Sequence, residues 1–599
     1  MSRLDVIRRM GRRPRGFLGF LLTISCLSAG STQAQPAPSP LRRPNIVLIM
    51  ADDQGYGDLG VHGNPKIKTP RLDRFAHESV RLKSFHVSPV CAPTRASLLT
   101  GRYNYRTGVV DTYQGRAIMH PDETTLAEML AKEGYRTGIF GKWHLGDNAP
   151  CRPIDQGFQE SLVIKGGGLG QPSDPAGGGH YLDPILQHNG RPERSKGYCS
   201  DVFTTAAISF AMAPSDRPFF VYLPFNCVHD PLEAPERELK SYASVDLSYA
   251  TFPPLGLPIP QDLAQKPEDV AKVYAMATNI DTNVGRLLDA LDSRGLANDT
   301  IVVFLTDNGP AQFRFNAGLR GRKASVYDGG IHVPCYIRWP GQFRAGLEID
   351  RIAAHIDLAP TLLAACAVPA PAGVAFDGVS LLPLLRGELA ANWPDRTLFF
   401  QWHRGDAPER GRAFAARSQR YKLVRPEPPA GARPPALALF DMEHDPLEQH
   451  DIAGEKPALV ARMQADYLDW FEDVSSTRGY GPIRIHLGGP RENPTVLTPQ
   501  DWRGATTKPG GTSVGGWEVQ VMRPGRYQVK TRLKPRPFPT VARLSLGGIK
   551  DERRLEPGAT ECVFSFLTLS AGPARLEAFV EGNETTFGVL DATVLSLGD

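Results

Sequence analysis

The chain has 599 residues, a length that predicts about two to four domains, and its apolar and charged fractions of 41% and 22% are ordinary for a globular protein. Its formal net charge of +4 comes from the first 34 residues, which contain six arginines and one aspartate. Because the remaining chain carries a formal charge of −1, the composition argues against a protein that binds nucleic acid or an anionic membrane surface.

The first 34 residues have the pattern of a secretory signal peptide. An arginine-rich start is followed by an apolar run over residues 17–27 and by small residues that end at Ala34. That run is too short to span a bilayer by itself, and a retained amphipathic anchor is the alternative. Residues 35–44 are a proline-rich spacer. We therefore expect an exported protein, periplasmic or extracellular, with residues 1–34 cleaved and no transmembrane span in the mature chain.

The first predicted strand, over residues 45–50, is a wholly apolar run, which is typical of a strand buried on both faces of a sheet. It leads to Asp52 and Asp53, which are followed by glycines that turn the chain. Two adjacent carboxylates at the end of a strand predict a site for a hard cation, with a solvated turn as the alternative. Helical spacing over residues 71–82 then leads the chain towards the next motif.

Cys91 is followed by Pro93 and Arg95. Pro93 fits the first turn of a helix, so Cys91 is expected just before a helix, and Arg95 falls on the same helical face. A nucleophile there faces the positive end of the helix dipole, beside N–H groups suited to an anion. The alternative is a buried cysteine beside a surface helix. The other cysteines after the leader form no CxxC pair, which argues against thiolate metal binding and predicts no particular disulfide.

A predicted strand over residues 137–140 leads into Lys142 and His144, which are bracketed by glycines. On an extended chain these two residues would point the same way, and the arrangement favours a functional pair over a solvated lysine and a structural histidine. Residues 165–180 hold two glycine triplets with no Lys-Ser or Lys-Thr after them. They predict a flexible loop and not a phosphate-binding loop, and by position that loop could border a substrate pocket.

Two further predicted strands end in polar residues. His229 follows a strand over residues 219–223, and Asp307 and Asn308 follow another over residues 301–305. The second strand end offers carboxylate and amide oxygens, although Asp-Asn-Gly is also a common turn. Polar residues at strand ends fit the general rule that open α/β sheets hold their sites at the carboxyl ends of their strands.

The alternation of strands and helices to about residue 375 predicts an α/β fold class, with a mostly parallel (mixed) central sheet sandwiched by helices. We assign residues 45–385 to this catalytic domain. Short strands and one helix predict a small C-terminal antiparallel-sheet subdomain over residues 386–478. Residues 479–599 alternate polar and apolar residues between turns, which predicts an appended all-β, sandwich-like domain. That domain is either carbohydrate-binding or a structural cap.

Five separated motifs, taken together, resemble those of the type I sulfatases of the alkaline phosphatase superfamily. They are Asp52 with Asp53, Cys-x-Pro-x-Arg at 91–95 continued by Leu-Leu-Thr-Gly-Arg at 98–102, Gly-Lys-Trp-His-Leu-Gly at 141–146, Asp307 with Asn308, and Arg-Gly-Arg-Lys at 320–323 continued at 327–334. The resemblance covers about residues 44–475. One departure precedes His229, where the family usually has proline and this chain has Val228.

The resemblance implies an enzyme that hydrolyses sulfate monoesters to an alcohol and sulfate. It implies that Asp52, Asp53, Asp307 and Asn308, together with residue Cys91, hold a calcium ion, with magnesium as the alternative. In that family the cysteine is converted after translation to formylglycine, an aldehyde whose hydrate is the nucleophile. The expected modified residue is therefore Cys91, and the expected partner in maturation is a formylglycine-generating enzyme.

The resemblance also implies a catalytic role for each remaining residue. Lys142 and Lys323 bind the sulfate oxygens. His229 also binds the substrate and protonates the leaving oxygen, with Lys323 assisting. His144 removes the proton from the second hydroxyl of the hydrate, which expels sulfate and restores the aldehyde. Arg95 holds the hydrate and the geometry on the metal side.

Three other functions stand beside this one. Phosphonate or phosphodiester hydrolysis would use the same fold and the same modified residue. A non-catalytic protein that binds sulfated glycans would release no sulfate. A zinc phosphatase is disfavoured because the metal motifs offer oxygen ligands and no histidine cluster. The export signal and the β domain favour a sulfated carbohydrate as substrate, with a small aryl sulfate as the alternative.

Overall fold

A ten-stranded mixed sheet forms the centre of the fold. The computed structural model describes residues 43–388, 393–429, 431–504 and 513–598, so the predicted signal peptide and nearly all of the predicted spacer lie outside the described residues. Within the described ranges, no helix combines the length and the apolar character that crossing a membrane requires.

The elements of the N-terminal part follow one another as strands and helices. The strands are β1 (Asn45–Ala51), β2 (Val80–Leu82), β3 (Phe85–His86), β4 (Arg136–Lys142), β5 (Glu160–Ile164), β6 (Ile185–His188), β7 (Arg191–Arg194), β8 (Phe219–Pro224), β9 (Thr300–Thr306), β10 (Cys335–Arg338), β11 (Glu348–Ile349) and β12 (Ala353–Ala354). The helices are α1 (Pro70–His77), α2 (Cys91–Thr100), α3 (Leu126–Lys132), α4 (Cys199–Met212), α5 (Glu236–Lys240), α6 (Pro267–Ser293), α7 (Asp328–Ile331), α8 (Leu358–Ala365) and α9 (Leu382–Leu385).

The strand order of the central sheet is β11-β2-β10-β9-β1-β8-β4-β5-β6-β7. Strands β9, β1, β8, β4 and β5 form a continuous parallel block, and β10, β6 and β7 pair antiparallel at its sides. Side chains of β1 alternate between two buried apolar cores, with Leu48 in one and Ile49 in the other. The predicted α/β class, with a mostly parallel sheet between helical layers, is therefore confirmed.

The helix predicted over residues 71–82 is wrong beyond His77. Helix α1 ends there, and the chain continues into strand β2, in which Val80 pairs with Ile337 of β10. Val80 is fully buried in the sheet. A β-branched residue fits a buried strand well, so sheet pairing overrides the helical spacing at this point.

The short strands after residue 393 form a four-stranded antiparallel sheet. In spatial order they are β13 (Leu398–Gln401), β14 (Phe414–Arg417), β15 (Tyr421–Arg425) and β16 (Ala438–Asp441). Helix α10 (Pro457–Ser476) packs on this sheet, and the ring of Tyr467 stacks on that of Phe414 with centroids 3.6 Å apart. The predicted antiparallel architecture is confirmed, while the boundaries of 386–478 stay a prediction.

The last part of the chain is all-β in its described residues. Its strands are β17 (Ile485–Leu487), β18 (Thr495–Leu497), β19 (Gly516–Val521), β20 (Gly525–Arg532), β21 (Thr540–Leu546), β22 (Ile549–Leu555), β23 (Glu561–Leu569), β24 (Gly572–Gly582), β25 (Thr585–Gly588) and β26 (Asp591–Gly598). They form two sheets, β17-β19-β24-β21-β22 with β25 beside β24, and β18-β26-β20-β23. Both sheets contribute to one buried apolar core, which contains Trp517 and Tyr527.

Replacing Leu48 by alanine tests the double-sided burial of β1. Leu48 is fully buried, so we expect the free energy of unfolding to fall by about 2–5 kcal/mol, the range for a large-to-small change in a core. Urea unfolding followed by circular dichroism measures the loss. The matched control is Leu182→Ala, at a leucine that is 63% exposed, where we expect a change within about 0.5 kcal/mol. Equal losses in the two variants would contradict the assignment of β1 to the core.

Candidate active site

Carboxylate and amide oxygens collect at the carboxyl ends of β1 and β9. Asp52, Asp53, Asp307 and Asn308 follow these strands, and each is at most 2% exposed. Because β1 and β9 are parallel neighbours, their ends meet at the same edge of the sheet. The Asn308 side-chain amide donates to Asp53 Oδ1 at 2.8 Å, and the Asp53 backbone amide donates to Asp307 Oδ1 at 3.2 Å. The structure thus brings the four predicted oxygen ligands together.

This set of donor atoms fits a hard cation. Ligand atoms of Asp52, Cys91 and Asp307 lie within 4.8 Å of one another. Asp52 Oδ1 and Asn308 Oδ1 are buried, and neither has a hydrogen-bond partner among the described residues. A buried unpaired oxygen costs about 1–3 kcal/mol, and a cation bound between these oxygens would offset that cost. Carboxylate and amide oxygens suit calcium or magnesium better than softer metals.

Arg95, in the first turns of helix α2, forms hydrogen bonds with groups at the ends of strands β4 and β9. Helix α2 begins at Cys91, so Cys91 is the first helical residue and not the one before the helix, and Arg95 follows one turn later. The Arg95 guanidinium donates to Asp307 Oδ2 at 2.7 Å and to the Lys142 carbonyl at 2.9 Å. The Lys142 ammonium, at the end of β4, donates to Asp52 Oδ2 at 2.7 Å. Arg95 and Lys142 are fully buried, so water does not screen these interactions.

Lys323 supplies a third cation from the loop before α7. Its ammonium lies 2.6 Å from Asp53 Oδ1. Burial alone would raise the pKa of Asp53, but the charges of Lys323, His229 and Lys142 outweigh burial and hold that pKa below its ordinary value. Burial would lower the pKa of Lys323, and the Asp53 carboxylate instead raises it above its ordinary value. Both side chains are therefore charged at neutral pH.

Two further pKa shifts follow from burial at the same edge. Burial and the neighbouring charge of Asp52 raise the pKa of Asp307 to about 6. Burial also raises the pKa of the Cys91 thiol, and the charge of Lys142 opposes this effect in part. As an unmodified cysteine, residue 91 is therefore a neutral thiol at neutral pH, and a neutral thiol is a weak nucleophile.

The backbone at His144 differs from the predicted extended chain. Strand β4 ends at Lys142 and His144 has a φ of +61°, so the prediction that an extended chain carries both residues is wrong. The His144 ring is held by Nε2, which donates to the Thr112 carbonyl at 2.7 Å, while Nδ1 is buried with no hydrogen-bond partner among the described residues. Burial, helped by the charge of Lys142, lowers the pKa of His144 well below its ordinary value. The ring is a neutral imidazole with a lone pair at Nδ1, the form that a general base requires.

His229 lies beside the carboxylates, in the loop after β8. Its Nδ1 donates to the Asp230 carbonyl at 2.8 Å, and its Nε2 lies 3.8 Å from Asp53 Oδ2. The peptide bond between Cys227 and Val228 is cis. Val228 is the residue that stands where the type I sulfatases usually have proline. Burial lowers the pKa of His229 to about 4, although the Asp53 carboxylate opposes this shift. An anion bound next to the ring would raise that pKa towards neutrality.

The glycine triplet at residues 166–168 lies against both histidines. A Cβ on Gly167 would lie 2.5 Å from the His144 ring, and a Cβ on Gly168 would lie 2.9 Å from His229 Nδ1. Any larger side chain would displace the rings, so this close approach requires glycine. The sequence places this loop near a pocket only by its position, whereas the structure makes it one wall of the site.

Sequence reasoning misses two groups that support the site. Arg314 donates to both carboxylate oxygens of Asp58 at 2.6–3.1 Å and to the Asp53 carbonyl at 3.0 Å. The Thr112 carbonyl fixes the tautomer of His144. Neither group has a local signal, because each acts through a contact between residues that are far apart in the chain.

Comparison with known proteins points to one family. Residues 44–368 match the family described as Sulfatase, and residues 322–469 match the one described as N-sulphoglucosamine sulphohydrolase, C-terminal. Arylsulfatase A of Homo sapiens is 33% identical over 512 residues, which cover 77% of this chain and 93% of that protein. N-acetylgalactosamine-6-sulfatase of Homo sapiens is 32% identical over 405 residues, which cover 62% of this chain and 70% of that protein. The solved structure of Ps i-CgsB in complex with k-i-k-neocarrahexaose has a TM-score of 0.61 and 26% identity, with 72% of this chain and 92% of that chain covered.

Replacing Arg314 by methionine tests the buried pair beneath the site. The substitution leaves the Asp58 carboxylate buried without its partner, and we expect the free energy of unfolding to fall by about 3–5 kcal/mol. Denaturant titration followed by circular dichroism measures the change. The control is Arg74→Met, which breaks an exposed ion pair with Glu78 and should change stability little. A loss as small for Arg314 as for Arg74 would show that the buried pair does not support the fold.

Proposed function

We propose a specific mechanism for this chain, which belongs to the sulfatase family and is a sulfuric ester hydrolase. The proposed reaction converts a sulfate monoester and water to an alcohol and sulfate, with formylglycine derived from Cys91 as nucleophile beside a calcium ion. The observation that carries the proposal is the meeting of Cys91 with buried carboxylates and buried cations at one edge of the sheet. That combination provides a nucleophile, charge for the sulfate oxygens and a place for a hard cation.

Asp52, Asp53, Asp307 and Asn308 would hold the calcium ion beside residue 91. When bound, the ion supplies positive charge to a sulfate oxygen and to the nucleophile. The two buried oxygens without hydrogen-bond partners, on Asp52 and Asn308, support a cation at this place. Magnesium accepts the same kinds of ligand but demands stricter octahedral geometry, and it is the alternative ion.

The modified residue 91 would supply one hydroxyl, whose oxygen bonds to sulfur as the bond from sulfur to the alcohol oxygen breaks, and a second hydroxyl, whose deprotonation lets the bond to sulfate break. A thiol at Cys91 carries no hydroxyl and cannot support that release. Lys142 and Lys323 bind the sulfate oxygens and neutralise the charge on them. Their own carboxylate partners, Asp52 and Asp53, hold the two ammonium groups at the edge of the sheet, which prepares the site before the substrate arrives.

The two histidines take opposite proton-transfer roles. His229 donates a proton to the leaving alcohol oxygen, because the bound anionic ester raises its pKa, and the Lys323 ammonium assists. His144 accepts at Nδ1 the proton of the second hydroxyl, which releases sulfate and regenerates the aldehyde. The donation of Nε2 to the Thr112 carbonyl leaves Nδ1 as the acceptor, which supports this role. Arg95 holds residue 91 in its position relative to the proposed metal ligands.

We propose a sulfated carbohydrate as substrate. Ps i-CgsB is solved with a neocarrahexaose, and N-acetylgalactosamine-6-sulfatase is named for a sugar sulfate. The appended β domain adds surface that a small aryl sulfate does not need. The proposal also includes export to the periplasm or the extracellular space, with the signal peptide, outside the described residues, cleaved, and maturation by a formylglycine-generating enzyme.

A peptide mass spectrum across residue 91 tests the nucleophile. In protein made together with an active formylglycine-generating enzyme, we expect the CH2–SH group of Cys91 to be replaced by an aldehyde. Cys91→Ser should stay folded and lose turnover of 4-nitrophenyl sulfate by a factor of about 10³ or more, the scale of losing a nucleophile. Cys562→Ser, in the β domain, is the matched control and should keep its activity. An unmodified and fully active Cys91, or preferential hydrolysis of an aryl phosphodiester, would overturn the proposal.

Calcium removal tests the cation site without relying on turnover. Adding calcium to chelated protein should raise the temperature of unfolding, because saturation at about 100 times Kd adds about 2.7 kcal/mol to stability. Asn308→Ala removes a neutral oxygen ligand, so we expect it to diminish the calcium-induced shift. Asp441→Ala, in a cluster with the exposed Glu443 and His444, is the control and should leave the shift unchanged. If calcium raises the unfolding temperature of Asn308→Ala as much as that of the wild type, the ion binds at another site.

A further inference from the structure

A groove between the edge of the central sheet and the C-terminal strands has no role in the chemistry described above. Its volume is 1380 Å³, which exceeds the about 300–1,000 Å³ that is usual for small-molecule pockets. One wall is the hairpin of β6 and β7, and the other consists of residues 488–498 with parts of β20 and β26. Its size indicates a ligand longer than a single small molecule.

The groove is cationic. Among the described residues that line it, seven are lysine or arginine and four are aspartate or glutamate. Arg191 and Arg523 are exposed, on opposite walls, and neither forms an ion pair or a side-chain hydrogen bond with a described residue. Four other cations of the groove are paired, namely Arg152, Arg491, Lys530 and Arg532, and the half-buried Lys165 is the remaining one. The guanidinium groups of Arg191 and Arg523, unpaired among the described residues, are therefore available to an anion, and their planar fork suits sulfate oxygens.

The neutral lining residues match a carbohydrate. Side-chain amides of Gln187, Asn189 and Asn493 and hydroxyls of serine and threonine line the groove, and these groups both donate and accept hydrogen bonds, as sugar hydroxyls do. The one aromatic residue among the described lining residues is Trp143, which is 1% exposed. Single-stranded nucleic acids bind largely by stacking on exposed aromatic rings, so this lining favours a sulfated saccharide over a nucleic acid.

Residues 165–173 connect the groove to the active site. Lys165 and Ser173, at the two ends of this segment, line the groove. Gly167 and Gly168, between those ends, lie against the two active-site histidines. The groove and the site therefore share one wall, and a chain whose sulfate ester occupies the site has neighbouring sugars next to the groove.

We infer that this groove binds the sulfated carbohydrate chain that flanks the hydrolysed ester. The inference rests on the proposed function, and it gives the C-terminal β domain a role in substrate binding. Sulfate groups on the flanking sugars pair with Arg191 on one wall and Arg523 on the other, and the amides and hydroxyls bind sugar hydroxyls. A sulfated oligosaccharide is then a better ligand than a small aryl sulfate, which reaches the site but not the groove.

The test is direct binding of fluorescently labelled dextran sulfate to the full chain. We expect Arg191→Ala/Arg523→Ala to weaken binding about tenfold at low salt, because each exposed ion pair contributes a factor of about 1.5–5. The difference should shrink at 1 M salt, where the Debye length is about 3 Å. Both arginines are exposed and unpaired, so the variant should unfold at the wild-type temperature, which is measured alongside.

The matched control is Arg294→Ala/Arg554→Ala, which removes two exposed arginines outside the groove that also lack ion pairs with described residues. We expect this variant to bind dextran sulfate as wild type does. Neutral dextran should not bind, and alginate, a carboxylated polymer, should bind more weakly than dextran sulfate. Wild-type affinity in the groove variant, equal losses in both double variants, or equal binding of alginate would each overturn the inference.

Turnover of 4-nitrophenyl sulfate by the wild-type protein separates this inference from the proposed function. If the wild-type protein, carrying formylglycine, hydrolyses no sulfate ester, the proposed function fails. Weakened dextran sulfate binding in the groove variant would in that case still support the groove. If wild type hydrolyses the aryl sulfate and the groove variant binds dextran sulfate normally, the groove inference alone fails.

Discussion

The buried guanidinium of Arg95 is the interaction on which the rest of the site depends. It joins the first turn of α2 to Asp307 after β9 and to the carbonyl of Lys142 at the end of β4. A buried charge is costly unless its hydrogen bonds are satisfied, and here a carboxylate and a carbonyl satisfy two of its nitrogens. Because the helix that carries Arg95 begins at Cys91, this one side chain also sets the position of residue 91, the proposed nucleophile, relative to the acidic edge.

Charge balance explains why the site needs so many ionised groups. The three carboxylates of Asp52, Asp53 and Asp307 are matched by the three cations Arg95, Lys142 and Lys323, which makes this set of side chains nearly neutral and permits its burial. A divalent cation bound among them would leave the site positive and would favour an anionic sulfate ester. In the proposed mechanism the paired lysines would bind sulfate oxygens without having to be brought into place, since their carboxylate partners already hold them.

Much of this organisation could be predicted from the sequence, because strands and their ends are local features. The apolar run of β1 and the acidic residues after it identify both a central strand and its functional end. The structure departs from the prediction where distant contacts decide the conformation. Pairing with β10 turns Val80 into a strand residue, and His144 takes a positive φ. The contact of Gly167 with a histidine and the salt bridge of Arg314 have no local pattern at all.

The glycine loop lies between the groove and the two histidines of the candidate site. Both carboxylate oxygens of Asp147 accept from the Gly166 amide at 2.9 Å, and the Gly167 amide donates to the Gln171 side chain at 3.1 Å. Contacts in the groove that are the same in the bound ester and in its transition state would lower KM without raising kcat. Under the proposed mechanism the histidines and the acidic edge would set the rate, and under the groove inference the groove would select among sulfated chains.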